Sequence, residues 1–170
     1  MHYPPPAFEQ RIHAPADVAV YARTLPRPLV FTNGVFDVLH RGHVTYLAQA
    51  RTQGASLIVA LNSDASTRRL GKGDERPINR LEDRAAVIAA LEAVSAVTWF
   101  EEDTPLELIR ALRPDVLING GDWKPADIVG AADVTAWGGK VHSIPFLHQK
   151  STTAVLEAIR NHLKNINKNK

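Results

Sequence analysis

Apolar and polar positions along the chain follow two rhythms. Short apolar runs fall at Leu29 to Phe31, Leu57 to Leu61, Ala96 to Phe100, Val116 to Ile118 and Val141 to Ile144. Between them apolar residues recur at three- and four-residue steps, as in Leu81, Ala85, Ile88 and Leu91, and again in Val155, Leu156, Ile159 and Leu163. The runs predict buried strands and the spaced residues predict helices with one apolar face. Strands alternating with helices imply a parallel sheet, because a parallel neighbour requires a crossover long enough to hold a helix. A short helix is predicted over Pro15 to Thr24, broken by Pro26 and Pro28 ahead of the first strand. Asn79 and Thr104 are predicted helix N-caps, and Gly54 is expected to end the helix that starts near His43. The pattern divides the chain into an N-terminal extension over 1–28, an open α/β domain with helices on both faces over 29–164, and a tail over 165–170 expected to fray.

Composition narrows the class. At 170 residues, 45% hydrophobic and 22% charged, the chain is the size of one domain that buries a sizeable core. No apolar run reaches the roughly 20 residues a membrane helix needs, and the start, Met1 to Pro6, lacks the basic and hydrophobic regions of a secretory leader. With no cysteine, disulfides, thiolate zinc sites and a cysteine nucleophile are excluded. A cytoplasmic location and no membrane partner are therefore expected. The net charge of +2 owes much to Arg160, Lys164, Lys168 and Lys170; without them 16 basic residues face 18 acidic ones. No basic face with interleaved aromatics occurs elsewhere, so nucleic acid is not an expected partner.

The candidate chemistry begins where the first strand ends. Thr32, Asn33, Gly34, Val35, Phe36 and Asp37 lead to His40, Arg41, Gly42 and His43, after which Val44, Leu47 and Ala48 set a helical face. Thr32, Asn33, Gly34, Phe36, Asp37 and Gly42 are the expected nucleotide and phosphate contacts of this segment. Parallel sheets bind ligands at the carboxyl ends of their strands, and a helix start offers free N–H groups and a positive dipole end that favour phosphate. Gly34 and Gly42 remove side chains where a ligand approaches the backbone. His40 and His43, three apart, reach one side of a helix start and would donate to oxygens of one polyphosphate. A bound polyanion would raise their proton affinity although the helix N-terminus lowers it. A cap or surface role for either histidine is the simpler alternative.

Gly34 to His43 resembles the G-x-F-D-x-x-H-x-G-H signature of the cytidylyltransferase-like nucleotidyltransferases, a family with a Rossmann-like sheet. The resemblance implies that His40 and His43 stabilise charge on the α- and β-phosphates of a nucleoside triphosphate while a second phosphate attacks. Leu61 to Ser66, Arg76 to Asn79, Phe100 to Pro105, Gly120 to Pro125 and Ser151 to Thr153 resemble one branch of that family. That branch transfers AMP from ATP to D-glycero-β-D-manno-heptose 1-phosphate, giving ADP-heptose and pyrophosphate for lipopolysaccharide core assembly. Asn119 departs from the lysine frequent in that branch. The resemblance spans roughly Leu29 to Arg160 and implies ATP and a sugar 1-phosphate as substrates, magnesium as the cofactor and a homodimer, with the helix over Arg80 to Ala93 a candidate contact. Some relatives carry a preceding sugar kinase domain, and this length fits a free-standing form. Two rivals remain: a cytidylyltransferase for glycerol 3-phosphate or another polyol phosphate, and a nucleotide-binding sensor without turnover.

Further residues carry alternatives. The basic, glycine-rich stretch Arg68 to Arg76 could close over a triphosphate, with Lys72 and Arg76 as catalytic candidates, or be a solvated loop. Arg84 could reach the site, serve a subunit contact or lie on a solvated helix face. Gly121, Asp122 and Trp123 follow a buried strand and could meet a base or sugar, or else form a turn with a core tryptophan. Ser151, Thr152 and Thr153 open the last helix, where hydroxyls cap N–H groups; the family places them against phosphates. Asp37 could orient a phosphate-binding group or a hydrated magnesium, or serve a turn, and no site built from protein metal ligands alone is expected. His13, His142, His148 and His162 are read as structural.

Overall fold

The computed structural model describes residues 3–71, 75–147, 154, 155, 158, 159, 161 and 162. Five strands form one parallel sheet: β1 (Leu29–Gly34), β2 (Ser56–Asn62), β3 (Ala96–Phe100), β4 (Val116–Gly120) and β5 (Lys140–Ile144), in spatial order β3-β2-β1-β4-β5. Each contains one of the five apolar runs. The chain winds outward from β1 to β3, then returns to place β4 on the other side of β1. That reversal opens a crevice beyond the carboxyl ends of β1 and β4, where open α/β sheets bind ligands.

Helices cover both faces, as the alternation of strand side chains demands. Leu29, Phe31, Ile58, Ala60 and Leu117 point to a layer formed by α1 (Pro15–Ala22), α5 (Leu106–Leu112) and α6 (Ala131–Ala136), where Val18, Ile109 and Val134 are buried. Val30, Leu57, Val59, Leu61 and Ile118 point to the opposite layer of α2 (Arg41–Arg51) and α4 (Leu81–Ala89), against Leu47, Ala50, Ala85 and Ile88. A further short helix, α3 (Asp64–Arg69), follows β2.

The segment ahead of β1 is fastened to the sheet. Ile12 bridges to Val97 on the edge strand β3, His13 N–H donates to Val97 O, and Arg11 Nη1 donates to the carbonyls of Ala89 and Val94 beyond α4. A covered edge cannot recruit a foreign strand.

Three predicted helix ends fall differently. Asn79 is not the N-cap of α4; Arg80 is, and the Asn79 side chain donates to Asp37 O instead. Pro105, not Thr104, precedes α5. The helix α2 closes at Thr52, and Gly54 is needed for a different reason: a Cβ there would stand 2.4 Å from Pro28 O. Glycine lets that turn pass against the entry to β1.

Candidate active site

The segment after β1 reaches the crevice as a tight loop and becomes α2 at Arg41, with His40 as an extended N-cap and His43 on the first turn. Their backbones are joined, His43 N–H donating to His40 O at 2.9 Å. The imidazoles stack with centroids 3.8 Å apart and planes inclined by 19°. The three-residue spacing thus brings both rings to one place. Burial pushes the His43 imidazole down to about 4, His40 beside it pushes the same way, and a hydrogen bond to the Val38 backbone opposes both. Near neutral pH His43 is therefore uncharged, and an approaching polyanion would raise its proton affinity.

Asp37 has a different task from the one expected of a metal-linked carboxylate. Its side chain is fully buried, Oδ2 accepts from Ile78 N–H at 2.9 Å, and Oδ1 accepts from Asn79 N–H at 2.8 Å. Arg76 Nε stands 2.7 Å from Oδ2, although its N–H is not aligned as a hydrogen bond, so this contact is chiefly one of charge. With no exposed surface, the Asp37 carboxylate offers no oxygen to a magnesium ion in this arrangement. It ties residues 76–79 to the loop that carries the histidines and fixes the stem of Arg76.

Arg84 is neither a solvated residue nor a surface contact. At 1% exposure it donates to Val35 O (2.8 Å), Asn62 O (2.9 Å) and Asn79 O (3.1 Å), and pairs with Asp64 Oδ1 at 2.7 Å. One guanidinium from α4 thereby joins the loop after β1, the end of β2, the start of α3 and the 76–79 segment. The motif residues after β2 and β3 are stitched together in turn. Asn62 Nδ2 donates to Ser66 Oγ, Ser66 Oγ donates to Glu102 O, and Arg69 pairs with Asp103 and donates to Glu101 O.

Thr32 is removed from any ligand: it is fully buried, and its hydroxyl shares a 2.6 Å hydrogen bond with Tyr46 Oη. Burial pushes the Tyr46 hydroxyl far above its ordinary value, opposed by this bond. Tyr46, one turn after His43, went unread in the sequence; its ring also meets Phe146 at 5.5 Å. Phe36 is buried at 8% exposure, while Asn33 and Gly34 line the strand end and Gly42 is packed inside the helix start.

Across the crevice, Gly121 (φ 114°) turns the chain after β4 in a conformation that suits glycine. Ser143 on β5 braces this turn, its hydroxyl donating to Gly121 O and accepting from Trp123 N–H at 3.1 Å. Trp123 is 53% exposed, so it is not a core ring, and Asp122 beside it is exposed. The serine brace carries no signal in the sequence. Lys72, Ser151, Thr152 and Thr153 lie outside the described residues.

A switch-point crevice, a helix start aimed into it and two stacked imidazoles at that start define a nucleotide-phosphate-binding protein of the α/β class. The chain belongs to the family described as cytidylyltransferase-like, whose model matches residues 31–158. It is 57% identical over 155 residues to a D-beta-D-heptose 1-phosphate adenylyltransferase of Bordetella bronchiseptica, covering 90% of this chain and 96% of that protein. The bifunctional protein HldE of Hahella chejuensis is 54% identical over 139 residues, 82% of this chain but 29% of that longer protein. Among solved structures, a lipopolysaccharide core biosynthesis protein from Thermoplasma volcanium superposes with a TM-score of 0.58 at 26% identity, covering 72% of this chain and 98% of that one. A pantoate-beta-alanine ligase from Francisella tularensis, at 14% identity and a TM-score of 0.59 over 83% of this chain and 68% of that one, shares the fold alone.

Proposed function

We propose that this protein transfers AMP from ATP to D-glycero-β-D-manno-heptose 1-phosphate, yielding ADP-heptose and pyrophosphate for the lipopolysaccharide core. The carrying observation is the 57% identity to a heptose 1-phosphate adenylyltransferase along nearly the whole of both chains. The stacked histidines at the head of α2 fit that chemistry.

The sugar phosphate oxygen attacks the α-phosphorus in line; a new P–O bond forms as the bond to the bridging oxygen of pyrophosphate breaks. A phosphate monoester is already anionic, so no protein nucleophile is needed, and catalysis consists of positioning and charge neutralisation. His40 and His43 donate to the triphosphate oxygens as charge shifts toward the leaving group, and the approaching polyanion raises the proton affinity of His43, which burial had lowered. Arg76, held by Asp37, adds positive charge beside the histidines, and Lys72 is assigned the same task. Ser151, Thr152 and Thr153 are assigned to phosphate binding, and Gly121, Asp122 and Trp123 to the base and sugar end.

Magnesium, bound with the triphosphate, would neutralise charge on the phosphate oxygens, and few protein ligands would be needed to hold it. Among the described residues no cluster of three or more histidine or acidic side chains is poised to hold a metal, and no step is assigned to a protein-bound ion. A cytoplasmic reaction is the reading that use of ATP supports. Among the described residues no helix is long and apolar enough to cross a membrane. The protein pairs with a second copy through the α2–α4 face, where Val44 and Val87 are exposed and Arg51 and Glu92 offer opposite charges at the rim. Sedimentation at micromolar concentration tests this, and a fully active monomer would sink it.

The decisive assay is pyrophosphate release with magnesium from ATP or CTP, each paired with heptose 1-phosphate or glycerol 3-phosphate, compared as kcat/KM. ATP with heptose 1-phosphate is expected to dominate. Preference for CTP with glycerol 3-phosphate would replace the named reaction by a cytidylyltransferase, and no turnover with any pair would favour a sensor.

A further inference from the structure

The loop between β1 and α2 contains one residue in an unusual state. Phe36 has φ 48°, the left-handed region that an aromatic residue rarely enters. The residues on either side are pinned: Val35 O accepts from Arg84 Nη1, and the Asp37 carboxylate is held by Ile78 and Asn79. Such a conformation persists only where its surroundings over-determine it, and here they force the Phe36 ring inward. The ring then lies edge-to-face with the His43 imidazole, centroids 5.1 Å apart and planes at 69°. The ring also lies against Gly34, where a Cβ would stand 2.8 Å from Phe36 Cε2 and 3.3 Å from Cδ2 and Cζ. Gly34, Phe36, His43 and His40 thus form a chain of contacts, close at Gly34, edge-to-face between Phe36 and His43, and stacked between the two histidines.

We infer that Phe36 is a positioning residue for adenylyl transfer: its ring backs the His43 imidazole and holds it in register with His40, and residue 34 is glycine so that the ring can lie there. The inference rests on the proposed reaction and assigns Phe36 no contact with substrate. A histidine that donates to a phosphate whose charge changes must be held to a fraction of an ångström, and misplacement by about 1 Å can cost on the order of a hundredfold in rate. The low proton affinity of His43, caused first by burial, accords with a ring shielding it from water. His40 is the titratable neighbour that shares this effect.

Two substitutions displace the ring by different routes. Phe36→Leu keeps apolar bulk without the aromatic edge, and Gly34→Ala pushes the intact ring away through its new Cβ. Both are read by NMR titration of the His43 imidazole, by kcat and KM for each substrate, and by thermal unfolding. Each is expected to raise the His43 midpoint by about one unit or more toward the ordinary 6.5 and to lower kcat by roughly tenfold or more, with KM changing less. Phe36→Tyr, which keeps the ring, is expected to hold kcat within about threefold of the parent. An unchanged His43 titration in both variants overturns the inference even if kcat or melting temperature falls, since a core filler would behave that way. If Phe36→Leu does not fold, Gly34→Ala decides by the same criterion. Should the parent turn over none of the substrate pairs, the reaction reading fails separately, because the imidazole titration needs no substrate.

Discussion

Replacing Arg84 by methionine removes a guanidinium while keeping most of the apolar stem, so the loss concerns polar partners rather than volume. Three backbone carbonyls, of Val35, Asn62 and Asn79, lose their donor, and Asp64 loses its cation. The Arg84 side chain is fully buried and that of Asp64 is 27% exposed, so water can reach the carboxylate more easily than the carbonyls. A buried group left unsatisfied costs about 1–3 kcal/mol, and removing one member of a buried ion pair costs about 3–5 kcal/mol overall. The four losses are not additive, because one admitted water can serve more than one oxygen. We therefore expect about 3–5 kcal/mol. For a domain of this size each kcal/mol lowers the melting temperature by about 2–4 °C, which gives a fall of roughly 6–20 °C. Thermal unfolding followed by circular dichroism measures it. A double-mutant cycle with Asp64→Asn should show a coupling of about 1 kcal/mol or more, as residues in contact do. A fall below about 3 °C would refute the reasoning and return Arg84 to the solvated face of α4.

Three further outcomes follow from the site. His40→Ala and His43→Ala should each lower turnover by roughly a hundredfold or more in the pyrophosphate assay, with melting temperature within a few degrees; less than threefold for both would contradict their role. Since the folded His43 pKa of about 4 lies below the ordinary 6.5, the unfolded chain protonates first on acidification. Its contribution to stability is full above pH 6.5 and is lost as pH falls toward 4, so the melting-temperature gap between the parent and His43→Leu should shift against the parent across that window. A pH-independent gap would show that the histidine titrates normally when folded. Asp37→Asn should lower kcat/KM by roughly tenfold or more through Arg76 while leaving the magnesium concentration for half-maximal rate unchanged. A marked rise in that concentration would place Asp37 at the metal.

The sequence by itself determined the five strands and the histidine pair, because both depend on neighbours a few residues away. A run such as Leu57 to Leu61 is apolar on both faces only if helices cover both, and an N-cap histidine three before another on the first turn brings two imidazoles to one helix start. The roles of polar residues were decided by the tertiary structure. Asp37 takes its partners 41 and 42 positions on, and Arg84 reaches 49 and 22 positions back. Such pairings depend on the strand order, with β1 in the middle, which brings the ends of β1 and β2 together under α4. Periodicity records which side of an element is apolar but not which distant carbonyl faces it. For this reason Thr32 read as a ligand contact when it belongs to Tyr46, Asn79 read as a cap when it holds Asp37, and Arg84 read as open to several uses when it ties four segments together. Buried polar groups must find partners wherever the fold places them, and those partners become visible only once the sheet is assembled.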